Sequence, residues 1–403
     1  MMTLGSLFSG SGGFELGASL AGITPLWNSE IEPFPIRVTT KRFPKVKHYG
    51  DIRKLDGAKM EPVDIITFGS PCTDMSIAGR REGLGGKQSG LFHEAIRLIK
   101  EMRDATNGVR PRFVVWENVT GAFSSNRGED FRTVLEEICR IKDEGSSIPS
   151  SPRWKRGGYI VGDGFSVAWR VLDAQYWGVP QRRKRIYLVG DFGGQSAGKI
   201  LFESEGLSGY SAALFRAWKD ASKAPTGSAG TASLYENHGI DARYKGPLDV
   251  CPTLAARMGT GGNNGPLVLE TFSASRNSRF TRANRELADC LTATDYKAPP
   301  SVNQYARVRR LMPMECARLQ GFPDWWVDDL WTAEPTEDEV RFWDDVFKEW
   351  GKPKTERQII KWLKDPCTDA AAYKMWGNGV ALPCVWYIMA GIKWAIEEGK
   401  NEQ

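Results

Sequence analysis

The stretch TLGSLFSGSGGFELG, residues 3–17, decides the fold. Its first half is an apolar run ending at Phe8, its second half opens a helix, and Gly10, Gly12 and Gly13 form the joint. A strand that passes through a glycine-rich turn directly into a helix begins a βα unit. Such a turn lets the backbone approach a ligand at the carboxyl end of a sheet. Glycines also serve tight turns that need positive φ, so the turn alone names no ligand. The spacing is not GxGxxG, and no GK[ST] follows to cradle a nucleoside triphosphate.

Outward from this turn, runs rich in β-branched residues alternate with segments of helical period as far as Phe192, the signature of a parallel sheet covered by helices. Residues 3–8, 24–29, 64–68, 112–117, 167–173 and 185–189 read as strands. Leu91, Phe92, Ala95, Ile96, Leu98, Ile99 and Met102 recur at helical spacing, as do Phe131, Val134, Leu135, Ile138 and Cys139. Residues 142–158, with their Ser, Pro and Gly, read as a surface loop.

After Phe192 the composition shifts to Gly, Ala and Ser, and little helical period returns before Gln304, which predicts a second, loop-rich domain. From Thr336, capping boxes (Thr336 with Glu339, Thr355 with Gln358) predict two helices, and a further helix is expected over residues 381–397. The predicted division is a catalytic domain of residues 1–192 plus 375–403 and a second domain of residues 193–374, with a helical insert at about 330–370.

With 403 residues, 41% of them hydrophobic, the chain can bury a sizeable core, which argues against disorder. A net charge of +5 permits a nucleic-acid partner without arguing for one. The seven cysteines are scattered singly and only three histidines occur, so neither a zinc site nor a disulfide framework is expected. No basic leader precedes the first apolar run, and the apolar segment 380–392 is short for a membrane span, so the reading is a soluble protein with reduced thiols.

Two acids sharpen the glycine turn. Glu30 ends the second strand, where a carboxylate can take both hydroxyls of a ribose, and Asp51 at a third strand end suits the amino group of an adenine. At the chemical end, residues 63–72, VDIITFGSPC, deliver Cys72 just beyond a buried strand. A lone cysteine is more often a small buried hydrophobe. Here Gly69 and Pro71 fix the turn, and the polar loop that follows, with Arg80 and Arg81, suits an accessible, electropositive thiolate. A second strand ends in Glu117-Asn118-Val119, which sets a carboxylate on the same sheet edge. The run Gln181-Arg182-Arg183-Lys184-Arg185 leads straight into another strand, and alternation puts Arg183 and Arg185 on one side.

FSGSGGF at Phe8, GSPC at Gly69, ENV at Glu117, QRRKR at Gln181, RLMPMECARLQGFPD from Arg310 and GNGV at Gly377 follow one another in the order of a known family. The chain resembles the bacterial and phage cytosine-5 DNA methyltransferases over nearly its whole length. That resemblance implies a class I S-adenosylmethionine-dependent α/β fold, Rossmann-like with a mostly parallel sheet, and a smaller target-recognition domain.

It implies Cys72 as nucleophile toward carbon 6 of a flipped-out cytosine, Glu117 as proton donor to N3, and Arg185 and Arg183 as the cationic support. It places S-adenosylmethionine, the implied cofactor, against Phe8, Gly10, Gly12, Glu30, Asp51, Ile52, Asn378 and Val380. It places double-stranded DNA against Ser76, Arg80, Arg243, Lys245, Arg257, Arg279 and Arg282, most of these as phosphate contacts. No metal, no membrane, a monomer, and the cytoplasm of a bacterium or a phage-infected cell complete the expectation.

The sequence departs from the family at Thr73, where glutamine is common, and in the 330–370 insert. The nearest rival is a transfer-RNA cytosine methyltransferase, which lacks so long a recognition segment. A nicotinamide-dependent oxidoreductase leaves Cys72, Glu117 and the arginine strand unexplained, and intact Cys72 and Glu117 argue against a non-catalytic relic.

Overall fold

The computed structural model describes residues 1–70, 90–202, 233–238, 243–254, 256, 266–272 and 305–401. An eight-stranded sheet organises the first half: β1 (Thr3–Leu7), β2 (Thr24–Ser29), β3 (Lys47–His48), β4 (Ile65–Phe68), β5 (Phe113–Val119), β6 (Gly157–Gly162), β7 (Phe165–Asp173) and β8 (Lys184–Asp191). Their spatial order is β3-β2-β1-β4-β5-β8-β7-β6. The first five pair in parallel, while β8 enters antiparallel between β5 and β7. The predicted mostly parallel sheet is therefore present. The loop expected over 142–158 ends earlier, because Gly157 already pairs with Arg170 in an edge hairpin.

Helices cover both faces, as strands buried on both sides require. On one face α3 (Gly90–Ala105) and α4 (Glu129–Cys139) turn Phe92, Ile96, Ile99, Phe131, Val134 and Ile138 onto the sheet. The other face is closed by α1 (Gly13–Leu20), α5 (Ala197–Phe202) and α10 (Leu382–Asn401). Here α1 and α10 pack so closely that a Cβ at Gly17 would stand 2.6 Å from Val385 Cγ1. Helix α5 falls after Phe192, where the sequence suggested a change of character, yet Ala197, Ile200 and Leu201 join this same core.

A second, antiparallel sheet has the order β10-β9-β11-β12, from β9 (Ser233–His238), β10 (Arg243–Leu248), β11 (Leu267–Phe272) and β12 (Tyr305–Arg310). It is tied to the arginine segment by backbone bonds from Cys251 N to Pro180 O and from Arg182 N to Cys251 O, both 2.8 Å.

The chain returns through α6 (Pro313–Leu319) to α7 (Glu337–Glu349), α8 (Glu356–Lys364) and α9 (Asp369–Asn378). Both predicted capping boxes are formed, at Thr336 with Glu339 and at Thr355 with Gln358. Helices α7 and α8 bury Trp343, Val346, Phe347, Ile359 and Leu363 against Ile36 of α2 (Pro33–Arg42). The aromatic stripe of α7 is thus packing. Among the described residues no single helix is long and apolar enough to cross a membrane.

Candidate active site

The glycine turn is held from three sides. Phe8 adopts φ 57, a left-handed conformation costly for an aromatic residue, and Gly10 and Gly12 continue at φ 52 and 77. The Gly10 N–H donates to Glu30 Oε2 at 2.9 Å, and the other oxygen of Glu30 accepts from Ile31 (2.7 Å) and Glu32 (3.0 Å). Burial raises the Glu30 carboxyl above its ordinary value, against the pull of these three N–H groups.

From behind, Trp326 Nε1 donates to Ser11 O at 2.8 Å, and a Cβ at Gly13 would stand 2.5 Å from Val380 Cγ2. Val380 is buried in this contact, while Asn378 at the end of α9 is exposed. In front the turn is open: a Cβ at Gly10 would meet nothing nearer than the Phe8 carbonyl, at 3.9 Å. An open backbone face beside a fixed carboxylate is a seat for the hydroxyls and charged tail of a nucleoside derivative.

Asp51 caps the 3-10 turn Ile52–Lys54. Its carboxylate accepts from the backbone and side chain of Arg53, with Nη2 2.5 Å from Oδ2. Burial would raise its pKa, but these bonds outweigh it and hold the carboxyl below the ordinary value. Ile52 is buried beneath, and Ser29 Oγ donates to Gly50 O at 2.5 Å, which fastens this turn to the end of β2 beside Glu30. The two acids expected to hold one adenosine are brought to neighbouring strand ends.

The chemical end is built at the carboxyl ends of β4 and β5, parallel neighbours in which Phe68 faces Trp116. The next residues outward are Gly69 and Glu117, and a Cβ at Gly69 would lie 3.3 Å from Glu117 Oε2. The glycine of GSPC thus lies directly against the carboxylate of ENV. Arg185 of β8 brings its Nε to 3.1 Å from Glu117 Oε1, an ion contact without the alignment of a hydrogen bond. Burial raises the Glu117 pKa, opposed first by Arg185 and then by Arg183. A carboxyl raised in this way is shifted toward its protonated form, the direction a proton donor requires.

Arg183 is buried and sends Nη2 to the carbonyls of Gly377 (3.1 Å) and Gly379, while its own N–H donates to Asp173 Oδ1 at 3.1 Å. Burial and the neighbouring Arg185 pull its pKa down to about 9, with Glu117 opposing. It therefore ties the arginine segment to GNGV, and it acts on Glu117 through its field.

Cys72, Ser76, Arg80, Arg257, Arg279 and Arg282 lie outside the described residues, as does the side chain of Arg243; Lys245 is exposed on β10. Among the described cysteines, Cys139, Cys251, Cys316 and Cys384 are buried with their thiols pushed up by burial, which leaves them inert. Among the described residues no cluster of three or more potential ligands is placed to hold a metal.

Sequence reasoning did not single out Trp326 or Gln320. Gln320 O accepts from Leu382 N at 2.9 Å, and its Oε1 would stand 3.0 Å from a Cβ at Gly379. Both lie in or beside RLQGFPD; only packing on a turn some 300 residues away reveals the part of Trp326, and only contacts with Gly379 and Leu382, about 60 residues on, reveal that of Gln320.

The strand order and the βα turn at Phe8 define a class I S-adenosylmethionine-dependent methyltransferase fold. The chain matches the family described as C-5 cytosine-specific DNA methylase over residues 2–141 and 160–332, and it belongs to that family. A protein of Escherichia phage P1 named DNA N-6-adenine-methyltransferase is 28% identical over 95% of this chain; the chain spans 60% of that protein's length. Type II methyltransferase M1.ScrFI of Lactococcus lactis subsp. cremoris is 25% identical over 98% of this chain and 79% of its own. Among solved structures, the S. pombe Dnmt2 methyltransferase shares the fold at a TM-score of 0.52 and 15% identity, over 100% of both chains.

Proposed function

We propose that this chain methylates carbon 5 of cytosine within a specific sequence of double-stranded DNA. The observation that carries the reading is the contact of Gly69 with the Glu117 carboxylate, with Arg185 at its side. Cys72 follows Gly69 by three residue steps, a reach of at most about 11 Å, so the thiol is tethered within one base of that carboxyl.

In the reaction, the Cys72 thiolate bonds to carbon 6 of the extruded base while Glu117 passes its proton to N3, which leaves carbon 5 electron-rich. Arg185 faces the carbonyl oxygen of the ring, and its charge steadies the electron density that builds there. Bound S-adenosylmethionine supplies an electrophilic methyl group. Loss of the carbon 5 proton to solvent then expels the Cys72 thiolate, and N3 gives its proton back to Glu117, which returns an aromatic ring and resets the carboxyl. Gly10, Gly12 and Phe8 seat the cofactor's tail, Glu30 its ribose, and Asp51 and Ile52 its adenine, with Asn378 and Val380 closing the far side. DNA is read from the region between Gln181 and Arg310, with Arg243, Lys245, Arg257, Arg279 and Arg282 as phosphate or base contacts and Ser76 and Arg80 beside the vacated base. The chain works as a monomer in the cytoplasm of a bacterial or phage-infected cell.

The name of the phage P1 relative raises a second product, N6-methyladenine. An exocyclic amine attacks a methyl donor itself and has no use for a thiol, so VDIITFGSPC favours cytosine. DNA treated with purified protein and S-adenosylmethionine, digested to nucleosides and analysed by mass spectrometry, is expected to contain 5-methylcytosine. Cys72→Ser should abolish it and keep cofactor binding within a few-fold. N6-methyladenine alone, or full activity in Cys72→Ser, overturns the reading.

A further inference from the structure

Helices α7 and α8 lie beyond residue 332, where the family match ends, and they dock beside the turn assigned to adenine. They are firmly anchored: Arg37 Nε donates to Leu330 O at 2.6 Å, and Thr332 N donates to Leu363 O at 2.8 Å. From this base α7 reaches β3 and the Asp51 turn at two places. Phe342 meets the His48 ring edge-on, with centroids 6.1 Å apart. About two helical turns further on, Glu349 grips both ends of the turn.

The Glu349 carboxylate lies against Gly50, where a Cβ would stand 2.2 Å from Oε2, and it accepts from Lys54 Nζ at 2.8 Å. Gly50 is at φ 75, so its lack of a side chain serves both the backbone and the carboxylate. These contacts border a cleft of about 480 Å³ between the two elements, lined by His48, Gly50, Lys54, Phe342, Val346 and Glu349 among others.

We infer that α7 is a positioning element for the cofactor, in which Glu349 clamps residues 50–54 and so fixes Asp51 and Ile52 for the adenine ring. Glu349 is a positioning residue: it touches the turn and leaves the ligand to Asp51. The inference rests on the assignment of Asp51 and Ile52 to adenine made above. A clamp on the turn lowers the ordering that binding must otherwise supply, so its loss weakens affinity without touching the reacting atoms.

The test is equilibrium titration of the full chain with S-adenosylhomocysteine. Glu349→Ala is expected to weaken binding about tenfold, within the range for residues that act on a ligand without touching it. Lys54→Ala should weaken it less, and Glu349→Ala with Lys54→Ala should add little to Glu349→Ala alone, because the pair acts as one clamp. In turnover, KM for S-adenosylmethionine rises while kcat at saturating cofactor falls less than about twofold, a split that general loss of structure does not give. Asp51→Ala separates the two claims. If it abolishes binding while Glu349→Ala stays within about twofold of wild type, the clamp is refuted and the adenine assignment stands. If wild type binds no S-adenosylhomocysteine, or Asp51→Ala leaves binding unchanged, both fall.

Discussion

Glu15 offers a test of the forces around the cofactor turn. It sits in α1 with no exposed surface, and burial raises its carboxyl from an ordinary 4.5 to about 7. Asn28 and Ser6 pull weakly the other way without completing well-aligned hydrogen bonds, and Glu30 nearby adds to the rise. A carboxyl whose pKa is higher in the folded chain favours folding least when ionised. Below pH 4.5 both states are protonated and nothing is lost. Between pH 4.5 and 7 the unfolded chain releases its proton first, and stability falls by about 3 kcal/mol, remaining lower above pH 7. Glu15→Gln keeps the shape and removes the titration. Wild type and variant should therefore diverge by about 3 kcal/mol as pH rises from 4.5 to 8, to the variant's advantage. For a chain of this length that is about 3 to 4 °C in melting temperature. Thermal melts of both proteins across that range read the difference directly. Melting curves that shift in parallel with pH would refute the claim that Glu15 is a buried, poorly compensated acid.

Further expectations follow from the same geometry. Gly69→Ala sets a methyl group 3.3 Å from Glu117 Oε2 and should lower kcat roughly tenfold with S-adenosylhomocysteine affinity unchanged; an unaltered kcat removes Glu117 from the proton transfer. Gly13→Ala collides with Val380 and should cost about 1 to 3 kcal/mol together with cofactor affinity, while adding Val380→Ala restores both; failure of that rescue, read by melting and titration, dissociates Val380 from the turn. Alanine at Arg257 or Arg279 should each lower the slope of log affinity for DNA against log salt by about 1, and an unchanged slope strikes that residue from the phosphate contacts.

The six strands read from the sequence are all present, because buried parallel strands leave continuous β-branched runs such as Ile65–Phe68 and Phe113–Val119. The capping boxes at Thr336 and Thr355 were legible for a similar reason, since a cap is a local hydrogen bond between residues three apart. The edge strand GGYIVG was not, because its glycines imitate a turn and its pairing with β7 is supplied by the sheet. Pairings across long stretches of chain leave no local trace. Nothing near Ser11 foretells Trp326, and nothing near Asp51 foretells that Glu349, through Gly50 and Lys54, shares its turn. Arg183 and Arg185 were legible as charges entering a strand, yet their division of labour depends on where α9 ends.

The cover that α10 lays over α1 sets a schedule for biosynthesis. Val385, Ile388 and Ile392, which shield Phe14, Ala18 and Ile23, are translated some 370 residues after them. At ordinary elongation rates this is an interval of roughly 20 to 75 seconds in which a greasy surface on the nascent polypeptide has no native partner. Yield in a heterologous host should therefore respond strongly to trigger-type holdases, and a premature stop before residue 380 would release a sticky fragment.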